Sequence, residues 1–406
     1  MAHLPGNCAR DLDTEASNVK SRIIFVALLI FVAVVGLSMV SSRLWQEEPG
    51  SAGDKSGSQV SISRDMTVRK IADAYGVNPK SLKGPLGLKS PTDLDKTIAD
   101  LGLSVDEARG RLRGIKALAD EESSKNWFKI PLKFVLWIVF LSIVFRLMLR
   151  GSVSPSSRKI LLALAVGIFG VALGSDPSPM GTVKDTIVLW GTERVIFPPR
   201  LVALAVFLLM VILANKFICS WGCQFGVLQD LIFRINRNPT DTNGLIRQWK
   251  PPFGLTNSVR MAFFVAICVF SIAWATDIVS PIDPFGVFKP AKLGAAGAGF
   301  VGLMLVASLF IYRPWCHFFC PFGLVGWVLE RFSVHKIKVD YGTCIACEAC
   351  AKACPSTVMD AILKQDKTVP DCFSCGTCQG VCPTNSITFG RGARAKPPVD
   401  KFRRAQ

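Results

Sequence analysis

Long apolar segments alternate with short polar ones over most of the chain. Six of these segments carry few charges and lie at residues 23–40, 127–149, 160–174, 201–218, 259–275 and 295–312. A helix needs about 20 apolar residues to cross the hydrocarbon of a bilayer. The pattern therefore predicts an α-helical integral membrane protein with six transmembrane helices, the first at 23–40 and the other five in a membrane core at 127–335.

The first apolar segment has a second interpretation, as the core of a cleaved signal peptide. The polar tail before it, residues 1–22, is long, and no clear small-residue cleavage site follows the apolar run. A retained membrane anchor is therefore favoured over a cleaved peptide.

Residues 41–126 separate the first span from the membrane core and form a polar insert. A Gly- and Ser-rich linker opens it, and capping residues then precede predicted helices at 68–75 and 105–119. The stretch 67–82 is similar to the middle of a helix-turn-helix, which would suggest DNA binding. Residues 45–126 have equal numbers of cationic and acidic residues, however, so a small helical domain that binds no nucleic acid is favoured.

The charge of the chain, +17 at pH 7, is unevenly distributed. Lysine and arginine gather on the cytoplasmic loops of membrane proteins. Segments 150–159 and 215–260 are strongly basic, whereas the loops 175–199 and 276–294 are near neutral. The basic pair is therefore predicted to be cytoplasmic, in a multi-pass protein of the inner membrane. The insert is then periplasmic, and the C-terminal domain is cytoplasmic.

Eight of the fourteen cysteines fall in two Cys-x2-Cys-x2-Cys-x3-Cys-Pro runs near the C-terminus. This is the bacterial ferredoxin spacing, in which the fourth cysteine of one half ligates the cluster of the other half. The predicted ligands are Cys344, Cys347, Cys350 and Cys382 for the first cluster, and Cys372, Cys375, Cys378 and Cys354 for the second. The sequence thus predicts an α+β ferredoxin domain with two [4Fe–4S] clusters at 336–390. A basic tail, 391–406, follows it and is expected to be disordered.

A zinc ribbon and a disulfide-bonded knot are the structural alternatives for these eight cysteines. Zinc sites usually consist of two CxxC pairs with four ligands in all. Two runs of four cysteines, both ending in Cys-Pro, fit neither alternative. Clusters also need reduced thiolates, which agrees with the cytoplasmic location predicted from the charges.

Four further cysteines form two CxxxC motifs, one after the fourth predicted span and one after the sixth. They are Cys219, Cys223, Cys316 and Cys320. The chain around each motif repeats an order of apolar span, Asp-Pro loop, apolar span and CxxxC, so two repeated hairpins are predicted to bring the four thiols together. A bound metal or cluster, a redox-active thiol set and guidance of assembly are all open as roles. A metal or redox role is favoured, because two copies on one side of the membrane are hard to explain as packing.

Other side chains with proton or ligand chemistry are few. The histidines are His3, His317 and His335, and none lies in a predicted span, so no membrane haem is expected. His317 stands between two cysteines, where a ligand, a proton relay and an ordinary interface histidine are all open. Asp176 and Asp283, each before a proline in a predicted outer loop, are candidate proton acceptors. The favoured interpretation is that each Asp-Pro step simply ends a helix.

Two membrane hairpins ending in CxxxC and followed by a double ferredoxin motif resemble the NapH/MauN family, with relatives in the C-terminal half of NosR and in CcoG-type proteins. The resemblance covers roughly residues 127–390. Two features depart from the family pattern. Gln224 follows Cys223 where the family motif has proline, although Pro321 keeps it after the second motif, and the insert is extra.

The resemblance implies a membrane-bound iron–sulfur protein that oxidises quinol and passes electrons between the quinone pool and a partner reductase. That partner is expected in the periplasm or the membrane. The alternative is a redox accessory factor that loads or reduces a metal centre during maturation of a respiratory enzyme. A redox sensor with the insert as its reporter is a third hypothesis. All three use the same clusters.

Overall fold

The computed structural model describes residues 6–45, 66–75, 91–101, 104–364, 366, 368–398 and 401–402. The linker expected at 47–63 and the end of the basic tail lie outside these residues. Over the described residues the chain is mostly helical, and its one sheet is a two-stranded sheet near the C-terminus.

Every apolar segment singled out from the sequence forms a helix. The helices before the C-terminal domain are α1 (Gly6–Leu44), α2 (Val68–Tyr75), α3 (Val105–Ser123), α4 (Lys129–Leu149), α5 (Pro155–Ala165), α6 (Pro179–Glu193), α7 (Pro198–Ala214), α8 (Phe217–Trp221), α9 (Gln224–Ile235), α10 (Phe253–Ala273), α11 (Ala295–Ala307), α12 (Pro314–Phe318) and α13 (Pro321–Leu329). Helix α5 continues directly into a π-helical segment, Val166–Ala172. Helix α1 includes most of the predicted polar tail, because residues 7–35 contain no proline or glycine to stop it.

Four helices are long and apolar enough to cross a membrane. They are the Asn18–Leu44 part of α1, α4, α5 with its π-helical segment, and α10. Helices α7 and α11 are apolar but have only 17 and 13 residues. The chain is thus a membrane protein, whereas six crossings stay a prediction.

The segment 175–199 is not the simple loop that its polar composition predicts, because it contains α6. Ser178 caps this helix by accepting a hydrogen bond from the Gly181 amide at 3.0 Å, and Pro179 occupies the first turn, where no amide is needed. Gly191 lies against α10 so closely that an added Cβ would be 2.7 Å from the Ser271 backbone. The helix forms because its face packs on its neighbours, which composition does not reveal.

The insert has the two helices that the sequence predicts. Ser104 caps α3 by accepting a hydrogen bond from the Glu107 amide at 3.1 Å. Helices α2 and α3 bury a small apolar core of their own, separate from the main core, around residues such as Ile71 and Leu112. Helix α3 rests on the end of α6, where a Cβ added to Gly114 would be 2.7 Å from the Val195 side chain.

The C-terminal domain pairs strands β1 (His335–Val339) and β2 (Ile387–Arg391) in antiparallel register around three short helices. These helices are α14 (Ala349–Ala353), α15 (Val358–Lys364) and α16 (Thr377–Gly380). The sequence predicts a disordered basic tail, whereas its described residues contact the domain. Arg394 donates a hydrogen bond to the Ile337 carbonyl at 3.0 Å, and Phe402 packs against the Tyr341 ring.

This domain sits at one end of the helical bundle. The Val334 amide donates to the Ile212 carbonyl at 2.7 Å, near the end of α7, and Gly376 contacts Met148 near the end of α4. We call this the ferredoxin end. The first turns of α4 and α7 form the opposite end, which we call the distal end.

Candidate iron–sulfur site

Two cavities in the C-terminal domain are each lined by four cysteines. Cys344, Cys347, Cys350 and Cys382 line one cavity. Cys354, Cys372, Cys375 and Cys378 line the other. Each cavity therefore receives three thiols from one motif and the fourth from the other, which is the pairing that the ferredoxin spacing predicts.

The backbone between these cysteines curls in the same way in both motifs. Ala346 and Glu348 have positive φ values of 54° and 55°, and Ser374 and Gly376, at the equivalent positions, have 50° and 76°. Left-handed residues at such short intervals turn the chain tightly, so that successive thiols converge on one cavity. Over the described residues, no group of three or more His, Cys, Asp or Glu side chains is arranged around a single ion. The thiols fit a multi-iron cluster better than one zinc ion, because each thiol then ligates a different iron.

The two quartets differ in their surroundings. The second lies against the membrane core, where Tyr312 lines its cavity and the Trp221 indole donates to the Ser374 carbonyl at 3.2 Å. The first is closer to solvent, because Cys347 is exposed and the neighbouring Ile345 side chain is 63% exposed. If electrons leave the protein at this end, the centre held by the first quartet would be the last one before the surface.

The two CxxxC motifs have matching local structures. Each places its first cysteine in a five-residue helix, α8 or α12, and its second cysteine at the N-cap of the next helix, α9 or α13. Cys320 Sγ accepts a hydrogen bond from the Gly323 amide at 3.3 Å.

The four CxxxC thiols come together in the core of the bundle. All are buried, at 7–8% exposure, and each of the six possible pairs lies within electrostatic range. The predicted clustering of Cys219, Cys223, Cys316 and Cys320 is therefore confirmed. Their role stays a prediction at this point.

Two buried cations link the motifs to each other. Arg313, just before the second motif, donates to the Cys219 carbonyl of the first at 2.5 Å. Lys216, just before the first motif, donates to the Gly323 carbonyl beyond the second at 2.8 Å. Each motif is thus held in place by the cation that precedes the other one.

A buried ion network fixes the ferredoxin domain to the core, and the sequence analysis missed it. Asp371, beside Cys372, pairs with Lys216 and with Arg260, the latter at 2.8 Å. A second set of buried ion pairs is centred on two acids, one on α9 and one in the loop after it. Its members are Arg158, Asp230, Arg234, Arg237, Asp241 and Arg313. The only sequence signal was a cation three residues before each CxxxC motif.

The CxxxC quartet lies between the two ends of the bundle. The Trp137 indole of α4 donates to the Gly222 carbonyl, within the first motif, at 3.0 Å. At about 1.5 Å of rise per residue, Trp137 is about 12 Å from Lys129 at the distal end and about 17 Å from Met148 at the ferredoxin end.

The distal end carries a polar cavity that joins the two candidate proton acceptors. Asp176 and Asp283 both line this cavity of about 330 Å³. Burial opposes the ionisation of Asp176, but Lys125 and Lys289 outweigh it and lower the pKa of its carboxyl. Burial raises the pKa of Asp283 against the opposing effect of Lys184. Asp283 also accepts a hydrogen bond from the Phe285 amide at 3.0 Å, so the turn-forming role expected of this Asp-Pro step is present too.

The histidine between the two cysteines of the second CxxxC motif packs against neighbouring groups. His317 Nδ1 lies 3.2 Å from the Arg313 carbonyl, and its ring lies 5.3 Å from the Phe373 ring. These contacts favour the ordinary interface role among the three that the sequence leaves open.

Comparisons with known families match both cysteine-rich regions. A 4Fe-4S dicluster domain model matches residues 336–393. A 4Fe-4S binding domain model matches residues 196–240 and 293–340, each of which contains one CxxxC motif. No solved structure matches the chain.

Curated relatives cover about half of the chain. YccM of Escherichia coli is 31% identical over 49% of this chain and 57% of its own length. The ferredoxin-type protein NapH of Haemophilus influenzae is 27% identical over 46% and 66%. The methylamine utilization ferredoxin-type protein MauN of Paracoccus denitrificans is 24% identical over 39% and 54%. The chain thus spans between about half and two thirds of the length of these relatives. These matches and the paired cysteine motifs support a NapH/MauN-type membrane ferredoxin family for this chain, with 4Fe-4S domains over both cysteine-rich regions.

Proposed function

We propose that the chain carries electrons between the quinone pool and a partner reductase. The proposal assigns two [4Fe–4S] clusters to the ferredoxin domain, with the quartets that line its two cavities as ligands. It assigns a further redox centre to the CxxxC quartet. Bound clusters supply one-electron exchange, and the protein supplies position, burial and charge.

The observation that carries the proposal is the position of the CxxxC quartet between the distal end and the ferredoxin end. Helix α4 spans about 30 Å between these ends. The rate of electron tunnelling falls steeply with distance, so a redox centre part of the way along makes transfer across the bundle feasible.

The charges around the CxxxC quartet suit electron-rich thiolates. Lys216 and Arg313 act electrostatically on Cys219, and Arg260 and Lys216 act on Cys320. A buried thiolate is costly unless positive charge lies near it. These cations would therefore stabilise a thiolate-held centre, and burial keeps water away from it. The same burial disfavours the alternative role in maturation, because thiols that pass a metal to another protein need access to it.

The proposed orientation places the ferredoxin end in the cytoplasm, the insert in the periplasm and the bundle in the inner membrane. Several cations of the basic segments are neutralised inside the protein, such as Arg158 by Asp241. Arg146, Arg150 and Arg247 remain exposed at the ferredoxin end and support this orientation.

Reduction by a quinol tests the function. Anaerobically purified protein is mixed with decylubiquinol, and bleaching of the broad visible cluster absorbance is followed in time. We expect bleaching in the unaltered protein and at least about tenfold slower bleaching in Cys219→Ser, with dithionite still reducing both. Cys268→Ser, a thiol on α10 outside every quartet, is the control and should match the unaltered protein.

The outcomes separate two parts of the proposal. Absence of bleaching by quinol in the unaltered protein overturns the quinol link. Equal bleaching rates in Cys219→Ser and the unaltered protein overturn the role of the CxxxC quartet.

A further inference from the structure

A second cavity opens at the distal end, between α4 and α7. It encloses about 560 Å³, within the range of small-molecule sites. Its walls are apolar and include Ile130 and Phe134 of α4 with Ala203 and Val206 of α7. Val202, which is 65% exposed, also lines it, so the cavity opens sideways through the apolar surface of α7.

One end of this apolar cavity is polar and is shared with the polar cavity already described. Asp176, Asp185 and Arg200 line both cavities. Arg200 is held by Glu121 of the insert and lies 3.4 Å from Asp185. The apolar cavity therefore ends in hydrogen-bonding groups, and behind them lies the polar cavity of about 330 Å³.

Such a cavity suits a ligand with an apolar tail and a small polar head. A quinol has this form, with a ring that carries two hydroxyl groups on a lipid-soluble tail. The lateral opening admits such a ligand from the bilayer, and Arg200 and Asp185 offer a donor and an acceptor to its ring oxygens.

We propose that the cavity between α4 and α7 is the quinol site of this protein, with Asp185 as the first proton acceptor and the polar cavity as the proton exit. This inference rests on the proposed function. Oxidation breaks the two O–H bonds of the quinol and yields a quinone, two protons and two electrons. The protons pass through Asp185 to the carboxylates of the polar cavity and then to water. The electrons pass singly to the iron–sulfur centres.

One side chain connects the wall of the cavity to the CxxxC quartet. Gln224, directly after Cys223, donates to the carbonyls of Ser175 at 3.1 Å and Pro177 at 3.3 Å. Pro177 lines the apolar cavity. Gln224 is also the residue that departs from the family motif, and a proline there could not make these bonds. We assign it as a positioning residue that fixes the Asp176-Pro177 turn between ligand and thiols.

A pair of matched substitutions on α7 tests the site by binding. Ala203→Phe fills the cavity, whereas Ala205→Phe makes the same change at an exposed position outside it. The dissociation constant of decylubiquinone is measured in nanodiscs of phosphatidylethanolamine and phosphatidylglycerol. We expect Ala203→Phe to weaken binding about tenfold or more and Ala205→Phe to change it less than about twofold. Iron content and reduction by dithionite show that each variant is folded.

The proton route has its own test in steady-state reduction by decylubiquinol. Asp185→Asn should lower kcat about tenfold with little change in KM. Asp277→Asn, which changes a carboxylate of the polar cavity alone, should lower it less. Equal kcat in Asp185→Asn and the unaltered protein would overturn the assignment of the proton acceptor.

Failure of the site and failure of the function have different signatures. If quinone binds equally to Ala203→Phe and to the unaltered protein, the site is wrong, even if quinol reduces the clusters. If quinone binds and Ala203→Phe abolishes binding, but quinol never reduces the clusters, the site stands and the electron-transfer function is wrong. If the unaltered protein binds no quinone, the site is wrong.

Discussion

The ion network under the CxxxC quartet gives a sharp test of how the core is held together. Asp230 accepts a hydrogen bond from Tyr312 at 3.1 Å and pairs with Arg313 at 2.7 Å and Arg234 at 2.9 Å. All four side chains are at most 3% exposed. Asp230→Asn keeps the shape of this residue and removes its charge.

The expected cost follows from what remains after the substitution. Arg313 loses its described carboxylate partner and keeps only carbonyl acceptors, and Arg234 keeps Asp241. Breaking a buried ion pair at one partner costs about 3–5 kcal/mol, because the other charge stays buried without compensation. We therefore expect Asp230→Asn to lower the free energy of unfolding by about 3–5 kcal/mol.

The assay is unfolding by sodium dodecyl sulfate in mixed micelles, followed by the cluster absorbance. Asp360→Asn is the matched control, because it removes an exposed pair with Lys364 that is 2.8 Å long. Such a surface pair contributes about 0–1 kcal/mol. A loss below about 1 kcal/mol in Asp230→Asn, or equal losses in the two variants, would refute the view that this network holds the core.

Three further predictions concern the packing of α6 on α10, the N-cap of α3 and the transfer of electrons to a partner. Gly191→Ala should lower the unfolding midpoint, since its Cβ would meet the Ser271 backbone at 2.7 Å, whereas Gly254→Ala, which meets nothing within 4 Å, should leave it unchanged or raise it. Ser104→Ala should destabilise α3 by about 1 kcal/mol, measured by amide hydrogen exchange of its first turn, and unchanged exchange would contradict the cap. Ile345 is exposed beside the first cysteine quartet, so Ile345→Asp should slow electron delivery to the partner without changing iron content. An unchanged rate would mean that electrons leave the protein at another surface.

Local patterns in the sequence predicted the elements that depend on local physics. The apolar segments became helices, Ser104 caps α3 as expected, and the ferredoxin spacing predicted which four cysteines share each cavity. The clustering of the four CxxxC thiols was also expected from the sequence, because the repeated order of spans and motifs would place both motifs at the same end of their hairpins. Six crossings, the orientation and the ligand roles stay predictions.

Features that depend on long-range contacts could not be predicted in this way. Helix α6 has a polar composition because Lys184 and Asp185 face a cavity, and its packing glycine, Gly191, resembles a loop residue in sequence. Arg158 and Arg234 were counted as loop charges, yet each pairs with Asp241 in the protein interior. Charge counts along a chain cannot distinguish a solvated cation from one neutralised by a distant acid.

Lys216 and Arg313 each donate a hydrogen bond to a carbonyl group of the other CxxxC segment, and this has a consequence for assembly. The first hairpin made alone would bury Lys216 without Gly323 and Asp371. The second made alone would bury Arg313 without Cys219 and Asp230, so neither half should be stable by itself. The first motif should therefore fold stably only after the second has been synthesised. A cofactor would then bind these thiols only after nearly the whole membrane portion has emerged from the ribosome. A gene split between the hairpins would yield a working protein only when both fragments are made in the same cell.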